Sequence, residues 1–527
     1  MSDETVRPSR SGPRPVGGGF VRLLHAEWTK FRTVRGWVLG MLAAVLLTVL
    51  FGALGSANGL PCGGGCDHTP PTGPGGEPVS DGFYFVHRPL TGDGSITARI
   101  ASLTGRHVQG APGPDGERAA STAAGVQPWA KAGLIVKDGT GQGSAYAAVL
   151  VTGGHGARMQ YDYTGDLAGR PGRVTADSPR WLRLTRTGTT LTGDESADGE
   201  HWHTIGRVRL PGLPGTVRAG LFTTSPDYQV TSHSVHGASS RGGPTVATSR
   251  FDHVAFSGPA GSGAAGRSWS GTAVGGPSVA RQFAGYRQDG GGFTVSGSGD
   301  IAPAAPGQGS GTRTTGNILI GAFAGLMAVI VVAALFVTAE YRRGLIRTTL
   351  LAGPRRGRAL AAKATVIGAV AFLTGTAAAA LTVPLVGALA RHSGFYLYPV
   401  TAAAELRVIL GTGALFGAAA VGTLAVGTLL RRGAAAVTVA VVAIVLPYVI
   451  AVASVLAPGP SRWLTRLTPA AAFAVQQTVP VYPQVDAGYT PADGYFPLSP
   501  WAGFAVLCGY AVLALALAGY AFRRRDA

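Results

Sequence analysis

Four acidic residues lying close together, Asp194, Glu195, Asp198 and Glu200, are one place in this 527-residue chain where residue types and spacing suggest chemistry. Two carboxyl groups flanking a glycosidic bond can serve as acid and base, or as acid and nucleophile. These four surround the run Ala197-Asp198-Gly199, which reads as a hairpin turn where Asp and Gly serve the backbone. Cys62 and Cys66, in PCGGGC, lack a partner pair for a metal. On their Gly-rich tether they suit a small disulfide loop in an oxidising compartment, with free thiols as the other reading. No G-x-x-x-x-G-K-[ST] loop occurs; the lysines are Lys30, Lys131, Lys137 and Lys363, and none follows such glycines. The chain is therefore not its own P-loop ATPase. The densest charge is EYRRGLIRTTLLAGPRRGRALAAK, where Arg342, Arg343, Arg347, Arg355, Arg356, Arg358 and Lys363 face the lone Glu340.

That basic run follows ILIGAFAGLMAVIVVAALFVTA, 22 residues without a charge. At about 1.5 Å per residue such a helix crosses a hydrocarbon core of roughly 30 Å. Hydrophobic content of 46% with 13% charge agrees with a membrane protein. Apolar runs predict six spans, at 36–55, 317–339, 364–390, 408–430, 434–457 and 501–522. Residues 1–18 read as a disordered cytoplasmic tail, and 19–35 as an amphipathic helix lying on membrane lipid, with Phe20, Leu24, Trp28 and Phe31 on one face. A signal peptide is the alternative for this start, but its apolar stretch exceeds a normal h-region.

The net charge of +18 is uneven: Ser56–Thr315 holds 21 basic against 18 acidic residues, so most of the excess flanks the spans. This excludes a basic nucleic-acid-binding domain. With both termini inside, cytoplasmic segments (340–363 and the tail 523–527 among them) collect 19 basic residues, against four in the short outer loops, Arg391, Arg407, Arg462 and Arg466. No Asp, Glu, Lys or Arg falls within the six predicted cores, which argues against ion-coupled transport. Gly413, Gly417 and Gly422 are spaced for close helix packing.

Between the first two spans, a tether (56–77) leads to short β runs over 78–303 and a linker at 304–316. Alternation with turns every 8–12 residues predicts an all-β sandwich. WAKAGLIVKD, PRWLRLTRTGTTLTGDESADGEHWHTIG and RAGLFTTS resemble the concanavalin-like jelly-roll family over roughly 78–258. FTVSGSGDIAP (293–303) resembles strands that usually open that fold, so the resemblance implies permuted strands at 258–303; a Gly/Ser-rich linker over 259–315 is the other reading. The E-x-D-x-x-E strand motif of catalytic jelly rolls is absent, which leaves turn chemistry as the reading of the four acids.

LLHAEWTKFRTVRGW, the TAEYRRGLIRTTLLAGPRRGRALAAK loop, LTRLTPAAAF and the terminal FRRRDA resemble the type-2 permease subunit of ATP-binding-cassette exporters. The resemblance covers the chain outside the β insert. It implies a separate ATP-binding-cassette ATPase that binds the ATP, no cofactor of the chain's own, no enzymatic activity, and a second permease half. The basic loop would hold the coupling helix, with Glu340, Arg342, Arg343, Gly344, Arg347, Thr348, Arg355 and Arg356 as its candidates. It also makes 458–500 an outer loop with short helices at the exit. The large insert departs from the family and leaves the substrate open. The expected architecture is a six-span helical protein of the cytoplasmic membrane, N-in and C-in, with an extracytoplasmic jelly-roll-like sandwich between spans 1 and 2. A membrane-anchored surface glycan-binding protein is the alternative function.

Overall fold

A computed structural model describes residues 19–57, 69–109, 121–234, 237–258, 268–275, 282–306, 312–342, 356–487 and 489–524. The tail 1–18, Cys62, Cys66, Arg343, Gly344, Arg347, Thr348 and Arg355 lie outside the described residues.

Among the described residues, eight longer helices frame one part of the molecule: α1 (Phe20–Thr33), α2 (Arg35–Ala57), α3 (Ala322–Arg342), α4 (Arg356–His392), α5 (Ala402–Leu430), α6 (Gly433–Val452), α7 (Pro458–Leu467) and α8 (Pro500–Arg524). Six of them, all but α1 and α7, are long and apolar enough to cross a membrane. α3 is preceded by a capped turn in which Thr314 Oγ1 accepts from the Asn317 backbone and Asn317 Oδ1 accepts from the Thr314 N–H. α6 widens into a π turn at Val441–Val445, just ahead of Pro447. Pro has no N–H to return to the preceding turn and its ring crowds that carbonyl, and a wider turn accommodates both faults.

The second part is two antiparallel sheets. One runs 203–209, 190–196, 180–187, 94–109, 245–257, 292–297, 285–289, with 121–124 paired to 94–109. The other runs 270–274, 83–91, 216–224, 131–137, 146–152, 157–161, 165–168. Alternate residues of both sheets fill the space between them, among them Val86, Ile96, Leu134, Val149, Leu184 and Phe251. Strands at 270–274, 285–289 and 292–297 extend the two sheets.

The seven-stranded sheet is buried on its other face too. Phe83, Phe85, Ile135, Tyr146, Tyr163 and Phe222 cluster there with Val79 and Ile301. Val79 and Ile301 belong to a separate ladder, 79–81 paired antiparallel with 301–303, formed by the chain entering and leaving the β region. Lys131 and Lys137, six residues apart on one strand and so on one face, pin this ladder. Lys131 Nζ donates to Asp300 Oδ1 (2.7 Å) and the Ile301 carbonyl (2.6 Å). Lys137 Nζ donates to Asp81 Oδ2 (2.8 Å), Tyr163 Oη (2.9 Å) and the Ser144 carbonyl (3.0 Å).

The β region rests on the segment before α8. Gln484 Nε2 donates to the Thr164 carbonyl (3.3 Å), and Val485 packs on Ala302 and Ala305. Thr312–Arg313 pairs in parallel with Tyr396–Leu397 beyond α4, and Arg313 stacks 4.3 Å from the Phe395 ring centre.

Candidate functional site

The four acids at the β hairpin are occupied by their own neighbourhood. Asp194 accepts from Arg183 Nε (3.1 Å) and Thr204 Oγ1 (2.7 Å). Glu195, fully buried, accepts from Arg180 (3.0 Å) and the Arg170 N–H (2.6 Å). Asp198 closes the turn by accepting from the His201 and Glu200 backbone N–H groups, which hold its carboxyl well below the usual range. The Glu200 backbone belongs to the same turn. These are backbone and ion-pair roles.

The more informative site is at the opposite end of the helices, where α1 meets α3 and α4. The apolar stripe expected on α1 is divided: Phe31 is buried, Leu24 half-buried, and Phe20 and Trp28 face outward. The face turned inward carries Glu27 beside Phe31. Phe31 stacks with Trp37 and meets Phe336 edge-on, at centroid distances of 6.3 and 6.2 Å. This aromatic contact seats α1 across the first turns of α2 and the last turns of α3.

Above the Phe336 ring lie two ammonium groups, Lys30 at 5.3 Å and Lys363 at 5.8 Å. Lys363 Nζ donates to Glu27 Oε1 and to Glu340 Oε1, both at 2.5 Å, and Lys30 Nζ also contacts Glu340 Oε1. Glu340 and Lys363 are buried, and Lys30 is partly so. Burial, then the neighbouring Lys363 charge, pushes the Lys30 ammonium down to about 8. Two carboxylates and two ammoniums balance in charge, as a buried cluster must. The second oxygens, Glu27 Oε2 and Glu340 Oε2, accept no hydrogen bond among the described residues.

The network therefore ties three helices: α1 through Glu27 and Lys30, α3 through Glu340, and α4 through Lys363. It sits where α3 ends and α4 begins, on either side of 343–355. The helices reach further into the basic run than the apolar pattern predicts: Arg342 ends α3, and Arg356 opens α4 two turns before Lys363. Glu340 and Lys363 each lie one residue outside the predicted cores, which is why uncharged cores and a buried charge cluster coexist. Glu340 is thus an internal partner here rather than a surface group. The sequence sets Lys363 among the cations opposite Glu340, but nothing in it joins either residue to Glu27 or Lys30. The available signal was that Glu27 and Glu340 are lone acids within strongly basic stretches.

Gly413, Gly417 and Gly422 of α5 face two neighbours. A Cβ on Gly413 would fall 2.1 Å from Thr376 Oγ1 and 2.8 Å from the Phe372 carbonyl of α4. One on Gly417 would fall 3.0 Å from the Gly368 carbonyl, whereas Gly422 leaves an ordinary 3.7 Å to Ala511 of α8.

Six apolar helices of this length make the chain a multi-pass membrane protein. The family model described as ABC-2 family transporter protein matches residues 182–527, and the chain belongs to that family. It is thus a membrane permease of an ATP-binding-cassette transporter, a class that works with a separate ABC ATPase and is generally without enzymatic activity of its own. No curated protein matches the chain. Among solved structures it is similar to a functionally unknown protein from Saccharomyces cerevisiae, at 16% identity over 34% of this chain and 76% of that one, with a TM-score of 0.21. It is also similar to scytalido-glutamic peptidase with a peptide-based transition-state analogue, at 8% identity over 41% of this chain and 98% of that one, with a TM-score of 0.23. Likeness at this level carries no argument.

Proposed function

We propose that this permease is an exporter subunit whose ATPase docks on the 343–355 segment and is coupled to the spans through the Glu27–Lys30–Glu340–Lys363 network. Both termini lie on the cytoplasmic side, the β region lies outside as a jelly-roll-like sandwich, and ATP stays on the partner. Two such six-span halves enclose the pathway. The distribution of basic residues supports the orientation. The observation that carries the coupling is geometric: the ends of α3 and α4 that bracket this segment share one buried ion cluster with α1. A pull on either end must then move α1, α3 and α4 together or exchange partners within the cluster. Arg342, Arg343, Arg347, Arg355 and Arg356 supply bidentate donors for partner carboxylates, and Gly344 and Thr348 complete the docking segment. The sheet face covered by Lys131, Lys137 and the 79–81/301–303 ladder disfavours an open glycan groove on that side.

The test is co-purification of the full chain with its ATPase in lipid, followed by ATP turnover. Arg343→Ala with Arg347→Ala should reduce association. Glu340→Gln should leave the ATPase bound but lower the stimulation it gains from the permease by about tenfold, the scale of a lost charge-assisted contact. An ATPase that binds and responds equally well to both variants would remove the coupling role from this region.

A further inference from the structure

We propose that the cavity between α7 and the 481–497 segment binds the phosphate headgroup of an anionic membrane lipid. The proposal rests on the chain spanning a membrane and is independent of what it transports.

The helix α7 is built the wrong way round for a helix on a soluble protein. Its inward residues are Ser461 and Thr465, and Thr465 Oγ1 satisfies itself on the Ser461 carbonyl at 2.9 Å. Its outward residues include Trp463 and Leu467, each 61% exposed. A helix that hides its hydroxyls and presents Trp and Leu to the outside has lipid as its outer neighbour. The adjoining helix agrees. Trp501 is exposed at the start of α8, and Tyr510, also exposed, donates from its hydroxyl to the Leu467 carbonyl at 2.9 Å. Exposed Trp and Tyr on these neighbouring helices are the residue types enriched at the headgroup layer.

Beside that apolar stripe runs a basic one. Arg462 and Arg466 stand four residues apart, on one side of the helix, and both line a cavity of about 320 Å³. Among the described residues neither guanidinium forms an ion pair with a carboxylate, and Arg466 lies 5.9 Å from the Trp463 ring centre. The rest of the wall is mixed: Val481 and Phe496 are apolar, and Tyr489 and Thr490 are polar. Two unpaired guanidiniums opening onto an amphipathic cavity, next to a lipid-facing stripe, fit one ligand chemistry: a phosphate monoanion carried on an acyl chain. Arginine binds phosphate through its planar fork, and the chain would lie along Trp463 and Leu467. The size is that of a small-ligand pocket.

The experiment uses the full chain in detergent, probed by native mass spectrometry with phosphatidylglycerol and with phosphatidylcholine. The expected result is preferential retention of phosphatidylglycerol, reduced about tenfold by Arg462→Gln with Arg466→Gln, and unchanged by Arg391→Gln at the end of α4. Arg462→Lys with Arg466→Lys should fall between, since charge survives and the fork does not. Equal retention of the two lipids by the unaltered chain would overturn the proposal without any variant, as would an equal loss in Arg391→Gln. Displacement of phosphatidylglycerol by inorganic phosphate alone would reassign the cavity to a free anion and overturn the lipid assignment. Failure of the transport reading would leave all these outcomes unchanged.

Discussion

The four lysines of this chain all enter ion pairs, yet the pair in the β region and the pair among the helices are held differently. Lys131 and Lys137 each have their own aspartate and each also donates to carbonyl or hydroxyl oxygens, while Asp81 Oδ1 has no hydrogen bond among the described residues. Lys30 and Lys363 share Glu340, and Glu27 and Glu340 each leave one oxygen without a hydrogen bond. One ammonium on one carboxylate has one arrangement and acts as a fastening. A cluster in which two ammoniums share one carboxylate has several arrangements of similar composition, which is what a moving joint between helices requires. The fastenings hold the β region to the two strands that connect it with the spans; the joint sits at the far end, where α3 ends and α4 begins.

The comparison is broken most directly by removing Lys137. Lys137→Met leaves Asp81 buried without its ammonium and should destabilise the β region by about 3–5 kcal/mol. Hydrogen exchange of 131–137 and 79–81 in the full chain reads this as lost protection, and an unchanged pattern would mean the pair fastens nothing. Lys363→Met should cost less, about 2 kcal/mol, because Lys30 stays against Glu340 and keeps part of the compensation. Its main effect should be on function: α1 loses its tie to α4, so permease-stimulated ATP turnover falls while the ATPase still binds. If Lys363→Met unfolds the helices as thoroughly as Lys137→Met unfolds the β region, the two clusters are of one kind and the distinction fails.

The sequence made the large divisions legible because they depend on long runs. Six apolar stretches and a Gly- and Asp-punctuated β region follow from hydropathy and turn chemistry alone. The strands at 270–274 and 292–297 were readable only through the order of their motifs, since Gly/Ser-rich composition reads equally as linker. The ion cluster was not legible. Lys363 and Glu340 stand 23 residues apart at the ends of a basic run, and topology alone accounts for every cation in it. Helix packing brings them together with Glu27, more than 300 residues away in the chain, and no local pattern encodes a contact of that range. The same holds for α7, whose arginines the sequence counts simply as outer-loop charge.

The last and smallest test sharpens the comparison through pH. Lys30 titrates at about 8 in the folded protein, against 10.5 for the free side chain. Below pH 8 both states hold the proton, and the folded state carries the cost of a charge that is stripped of water and lies beside Lys363. Between about 8 and 10.5 the folded state has released the proton and the unfolded one has not, so the unfolded state binds more protons and stability rises with pH. Above that window the two states again match. Protection of α1 should therefore increase from pH 7.5 to 9.5, after correction for intrinsic exchange, and Lys30→Met, neutral throughout, should abolish the increase. A dependence that survives Lys30→Met belongs to another group. A dependence that vanishes shows that one ammonium of the shared cluster is held against its own solvation, and so is the one readiest to let go when α3 and α4 move.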